Sequence, residues 1–259
     1  MKAKLDAFKT FPQHPVRVRS MTYFPKSDYI EYPKTLPRDD LWGQVRRTRN
    51  GKPVSEREVE AIVSTVRREL DIGESDVILD LACGNGALSA RAFIGCRGVT
   101  GVDRSSYLIE IARENFQKEP FWKFTESDIN DYLHDEPDPG QFTKAMMYAS
   151  IQYLSPEVVT ELLSSLFHRF GGVTVCLIGN VPDRDQASLY YEERGVPLPN
   201  LDDPVSQIGV WWAQEDLARV AENAGWHVTF SRMPGWVFNA AYRYDTILRR
   251  PASGSDCRG

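Results

Sequence analysis

At 259 residues, 42% hydrophobic and 26% charged, the chain has the composition of one larger globular domain or of a domain with an added cap. Its formal net charge of −5 argues against nucleic acid as the main partner, which asks for a basic face. No apolar stretch approaches the ~20 residues of a membrane span, and the start MKAKLDAFKTF lacks the apolar core of a secretory signal, so a soluble, cytoplasmic protein is expected.

Residues 1–54 carry no long periodic element. Their aromatics, Tyr23, Phe24, Tyr29, Tyr32 and Trp42 among them, predict an arm or lid packed over the main domain. A helix follows, opened by the S-x-x-E capping box of Ser55 and Glu58 and carrying the stripe Val59, Ile62, Val63, Val66. Strands and helices then alternate. VILDLA is a strand and GALSARAFIG a helix; GVTGVD is a strand and SSYLIEIARENF a helix. FWKFTESD and FTKAMMYAS are further strands. Ser155 and Pro156 open a helix, GGVTVCLIGN is a fifth strand, QASLYYEER is helical, and residues 213–224 form a last helix. WHVTFSRM and AYRYDTILRR are closing strands around Pro234-Gly235, and 251–259 reads as a disordered tail. The pattern predicts an α/β fold: a doubly wound, seven-stranded, mostly parallel Rossmann-like sheet with one antiparallel strand, spanning residues 55–250 behind the N-terminal arm.

Ligands of such a sheet lie beyond the carboxyl ends of its strands. There the first strand ends in Asp80 and continues through Ala82, Cys83, Gly84, Asn85 and Gly86; glycines there let backbone approach a ligand. Asp103 ends the second strand, where a carboxylate accepts from ribose hydroxyls. The run G-N-G-A-L-S misses the dinucleotide fingerprint at Ser89. Asp80 repels a diphosphate and attracts an ammonium group, which favours a nucleoside with a cationic amino-acid tail. The cysteines Cys83, Cys96, Cys176 and Cys257 form no C-x-x-C pair and no cluster with histidine at metal-ligand spacing, so no metal is expected.

VILDLACGNG, GVTGVDRS, TESDIND and the closing strand pair resemble, in order and spacing, the class I S-adenosylmethionine-dependent methyltransferases. Ala82 stands where the family's first motif has its first glycine. The resemblance implies S-adenosylmethionine as cofactor. It places Asp80 at the methionine amino group, Asp103 at the ribose, and Asp128 and Ile129 at the adenine. Ala82, Gly84, Asn85, Gly86 and Arg104 complete that wall. In such enzymes the N-terminal segment often closes over the cofactor, which nominates Trp42 and, for the methionine carboxylate, an arginine, Arg46 or Arg47, with Arg46 taken as the cofactor residue.

The acceptor pocket is expected where the fourth and fifth strands end. Tyr148, which also borders the cofactor, Tyr153 and Glu192 are the candidate catalytic groups. Tyr23, Tyr29, Tyr32, Gln152, Tyr190, Tyr191 and Trp211 are candidates to line the acceptor. Each aromatic has a plainer alternative as core or arm anchor, and Glu192 as part of a solvated helix face. The expected reaction is in-line methyl transfer to oxygen or nitrogen of a small-molecule acceptor, with no nucleic-acid or membrane partner and the oligomeric state open. A protein or tRNA methyltransferase, and an NAD-type oxidoreductase or idle binding module on a related fold, are the rivals.

Overall fold

The structure, a computed structural model, describes residues 28–49 and 51–251. One mixed sheet is built from β1 (Val77–Leu81), β2 (Gly98–Asp103), β3 (Trp122–Glu126), β4 (Lys144–Tyr148), β5 (Val175–Pro182), β6 (His227–Ser231) and β7 (Arg243–Arg249). Their order is β3-β2-β1-β4-β5-β7-β6, with β7 antiparallel to both its neighbours. The chain order reverses between β1 and β4, so the crevice of a doubly wound sheet opens at their carboxyl ends.

Period-two alternation assigns each strand residue to a layer. Ile78, Met146, Tyr148, Leu177 and Ile247 face helices α1 (Glu56–Leu70) and α2 (Ala87–Ala92). Leu79, Leu81, Ala145, Met147, Cys176, Ile178 and Leu248 face the layer of α4 (Ile129–Asp135), α5 (Pro156–His168) and α7 (Gln214–Asn223), while α6 (Ala187–Glu192) packs in a separate cluster. Helix α3 (Ser106–Phe116) covers β3 through Ile109, Ala112 and Phe124. Because every central strand is buried on both faces, these strands read as continuous apolar runs.

Capping fixes where the helices start. Ser55 accepts from the Glu58 amide at 3.3 Å while the Glu58 carboxylate accepts from the Ser55 amide at 3.0 Å. The stripe Val59, Ile62, Val63, Val66 and Leu70 is buried against the sheet, each side chain contributing roughly 1.5–3 kcal/mol. Ser105 and Ser155 cap α3 and α5, and Gly225 at φ +108° releases the chain from α7.

Two features differ from the sequence expectation. The last strand begins at Arg243, because Ala240–Tyr242 coils into a 3-10 turn before it. The fifth strand shifts register between Ile178 and Val181, with Asn180 at φ +62°. The bulge is pinned by the Asp245 carboxylate, which accepts from the Asn180 amide at 2.6 Å. Within the arm, residues Leu41–Gln44 form one helical turn, and Thr48–Arg49 pairs with Lys52–Pro53 in a short hairpin.

Candidate active site

The site is organised by the turn after β1. Ala82, Gly84 and Gly86 all adopt positive φ (58°, 58° and 74°), which sends the chain back over the strand end and into α2. A left-handed alanine costs roughly 1–2 kcal/mol, so Ala82 is a strained point at the crevice floor. Asp103, at the end of β2, staples this turn: one carboxylate oxygen accepts from the Gly84 amide at 2.9 Å and the other from the Ser105 amide at 2.9 Å. Asp80 is 2% exposed and accepts a hydrogen bond from the Ser89 hydroxyl on α2. The residue that spoils the dinucleotide pattern therefore holds the floor acid.

The arm closes over this turn. The Asn85 side-chain amide donates to the Leu41 carbonyl at 2.8 Å and to the Gln44 carboxamide oxygen at 2.9 Å. Val45 lies on Gly84, where a Cβ would come within 2.8 Å of it. Beneath the arm is a cavity of about 150 Å³, many times the ~10–15 Å³ that one water requires. Its wall runs from Asp103, Arg104, Leu108, Asp128 and Ile129 past Asp80, Ala82, Cys83, Gly84 and Asn85 to Met146, Tyr148, Ala149, Ser150, Tyr153 and Leu154. Tyr29, Trp42, Val45 and Arg47 are the arm's contribution.

Charge divides the cavity. The acids Asp80, Asp103 and Asp128 come from the β1–β3 half. Burial pushes the Asp80 carboxyl up to about 7, the Ser89 hydrogen bond working against that, the Asp103 charge adding to it and the Arg47 charge opposing it. Burial also raises Asp103, against the pull of the Ser105 and Gly84 amides. On the other side the Arg47 guanidinium lies 4.9 Å from the Tyr148 ring centre and 5.9 Å from that of Trp42. Tyr29 and Tyr153 pack with ring centres 5.6 Å apart. The Tyr29 and Tyr148 phenols are raised by burial, so both stay protonated donors at neutral pH.

Several expected residues lie elsewhere. Gly86 is bare for packing: a Cβ there would come within 2.9 Å of Phe124. Arg46 lies outside the cavity wall with its guanidinium 3.5 Å over the Tyr32 ring, so Arg47, not Arg46, is the arginine at the cavity, and Tyr32 anchors the arm. Gln152 is buried, donating to the Ala149 carbonyl at 2.8 Å. Tyr190, Tyr191 and Trp211 form a separate aromatic cluster with Ile208 and Tyr242. Glu192 is exposed, as its helix-face alternative had it. Tyr23 lies outside the described residues. Val45, Leu108, Met146, Ala149 and Leu154 also line the cavity, though nothing in the sequence marks them as site residues. Their apolar identity marks them as core, and only the depth of the crevice distinguishes them.

Residues 78–169 match the family model described as a methyltransferase domain. An uncharacterized methyltransferase of Schizosaccharomyces pombe is 26% identical over 199 residues, covering 74% of this chain and 73% of its own. Among solved structures, the magnesium protoporphyrin IX methyltransferase of Synechocystis PCC 6803 with bound SAH aligns at TM-score 0.54 and 14% identity, over 75% of this chain and 82% of that one. The methyltransferase domain of a bacterial Hen1 aligns at TM-score 0.56 and 16% identity, over 74% and 99%. A SAM-dependent methyltransferase of Archaeoglobus fulgidus aligns at 0.54 and 18%, over 74% and 94%.

Proposed function

We propose that this chain, a class I S-adenosylmethionine-dependent methyltransferase, methylates an oxygen or nitrogen of a small-molecule acceptor in the cytoplasm. The lining fits the cofactor. Asp80 is buried, accepts from the Ser89 hydroxyl and forms no ion pair among the described residues, and the amino group of a methionine tail supplies the missing charge. Asp103 is held in place by two amides and keeps lone pairs for two ribose hydroxyls. Leu108 and Ile129 offer apolar faces for the adenine, with Asp128 at its edge. Arg47 takes the place expected of Arg46, facing the methionine carboxylate.

The bound cofactor supplies an electrophilic methyl group on a sulfonium. What remains for the protein is alignment and exclusion of water, and positioning of that kind lowers a barrier by up to ~7–11 kcal/mol. The rings of Trp42, Tyr29 and Tyr148 present faces that attract a cation. Because the Tyr29 and Tyr148 phenols stay protonated, they orient the acceptor by donating hydrogen bonds and do not remove its proton.

The single observation that carries the small-molecule reading is that the arm roofs the cavity: Tyr29 packs on Tyr153 above the pocket that Asp80 and Asp103 line. A polymer asks for an open groove. Three described cysteines, Cys83, Cys96 and Cys176, are free thiols, which agrees with a reducing compartment. The test is transfer of labelled methyl from S-adenosylmethionine into a cell extract split by size. Label in the low-molecular-weight fraction is expected; label in protein or RNA overturns the reading.

A further inference from the structure

The cofactor reading leaves one surface at the cavity end without a role. Strand β6 runs antiparallel to β7, and β7 antiparallel to β5, so the connection 232–242 emerges at the carboxyl ends of the central strands, the end that holds the cavity. Helix α1 leads into β1, which brings its first turn to the same end. Here Trp236 is 45% exposed and Phe238 36% exposed, while Val237 between them is buried and anchors the turn. Glu58 ties the turn to the helix: one carboxylate oxygen closes the cap on Ser55 and the other accepts from the Phe238 amide at 3.2 Å.

Both rings carry a guanidinium. Arg57, in the first turn of α1, lies 4.2 Å from the Trp236 ring centre, and Arg49, in the arm hairpin, 5.3 Å from that of Phe238. Lys52 stands across the hairpin from Arg49. All three cations are exposed, and none forms a salt bridge among the described residues, whereas Arg91 pairs with Glu56 and Glu60. Glu58, the acid bonded to this turn, is buried and already committed to the cap and the Phe238 amide. A cation near a helix N-terminus opposes the helix dipole, so α1 gains nothing from Arg57. The patch thus presents two exposed rings and three cations that lack an anionic partner.

Shape decides which partner fits. A Cβ at Gly51, at the hairpin tip, or at Gly235, at the turn tip, would meet nothing within 4 Å, so both tips project into open space. A peptide or a nucleic-acid strand is held in a groove, where walls on either side supply contacts. Projecting aromatics beside arginine and lysine fit a lipid headgroup layer, the rings at the acyl boundary and the cations among the phosphates. The chain as a whole carries a net charge of −5, which opposes general adsorption to an anionic surface and leaves attachment to the local patch. No helix of the described residues is long and apolar enough to cross a bilayer, and a surface contact needs none.

We propose that Trp236 and Phe238, with Arg49, Lys52 and Arg57, dock the protein on an anionic lipid surface with its cavity end toward the bilayer. This contact goes beyond the methyltransferase reading and does not depend on it.

The test is flotation of the full chain with vesicles of equal parts phosphatidylcholine and phosphatidylserine, beside vesicles of phosphatidylcholine alone. Strong binding to the mixed vesicles and weak binding to the neutral ones are expected. Arg49→Gln with Arg57→Gln is expected to weaken binding roughly 30-fold, about 5-fold for each cation. Trp236→Ser with Phe238→Ser is expected to weaken it roughly 10-fold or more. Arg97→Gln, an exposed arginine at the opposite end of the sheet, is expected to bind as the wild type does. A cooperative melting transition shows that each variant is folded. Absence of wild-type binding to the mixed vesicles overturns the proposal without any variant, as does binding that survives both double substitutions. Wild-type binding of oligouridine or polyglutamate in preference to the vesicles assigns the patch to nucleic acid or to an acidic protein and overturns it likewise.

Discussion

Asp80 is the residue at which stability and binding pull against each other. Its carboxyl sits at about 7 because burial disfavours the charge, whereas an incoming ammonium group needs that charge. Binding therefore releases a proton. Cofactor affinity is expected to fall, with a slope approaching one proton, as pH drops below about 7, and to level off above it; calorimetry in buffers of different ionisation enthalpy reads the proton directly. Asp103 works by geometry, both oxygens being fixed by backbone amides. Asp103→Ala is expected to weaken S-adenosylhomocysteine binding by ~1–3 kcal/mol, and an unchanged affinity would remove Asp103 from the ribose. Gly86→Ala is expected to destabilise the fold by at least ~1 kcal/mol, since it combines positive φ with a contact on Phe124. A melting temperature equal to the wild type's would contradict that packing role.

At the scale of elements, the arm is joined to the cofactor loop chiefly through Asn85, whose amide bridges Leu41 and Gln44. Asn85→Ala is expected to remove about 1 kcal/mol per bond and to speed amide exchange over residues 41–47 while β1 and β4 stay protected. Unaltered exchange would mean that the arm is held by other contacts. The sheet was legible because its central strands are apolar on both faces and its helices carry their caps in the sequence, as Ser55 with Glu58 and Ser155 with Pro156 show. The acidic wall was legible for the same reason: Asp80 and Asp103 stand at strand ends, and strand ends mark the crevice. The aromatic wall was not. Tyr29 and Tyr190 look alike in sequence, yet one roofs the cavity and the other packs into a satellite core with Trp211. What separates them is the tertiary path of the arm and of the 196–210 loop, which has no period to read. Arg46 and Arg47 differ likewise only by the left-handed turn at Arg46, φ +51°, which points adjacent side chains to opposite sides.

For the whole molecule, buried carboxyls set the pH response. Asp80 and Asp245 are raised by burial to about 7 and about 6, above the ~3.9 of an unfolded aspartate. Between those limits the native state holds more protons than the unfolded chain. The stability these groups contribute is complete below about 4 and is lost as pH rises toward 7. The cofactor-free protein is thus expected to melt at lower temperature at pH 7.5 than at pH 5.5, with Asp80→Asn flattening that difference while weakening cofactor binding. Lowered acids such as Asp28 and Asp202 act on stability only at more acidic pH, so the opposite slope would contradict the raised carboxyls of Asp80 and Asp245. The central claim is that the carboxylates of Asp80, Asp103 and Asp128 face one ligand beneath the arm. A crystal structure of the protein with S-adenosylhomocysteine tests it most directly. The account predicts the ribose hydroxyls on Asp103, the amino group toward Asp80 and the adenine between Leu108 and Ile129; the ligand bound anywhere else on the molecule would contradict it.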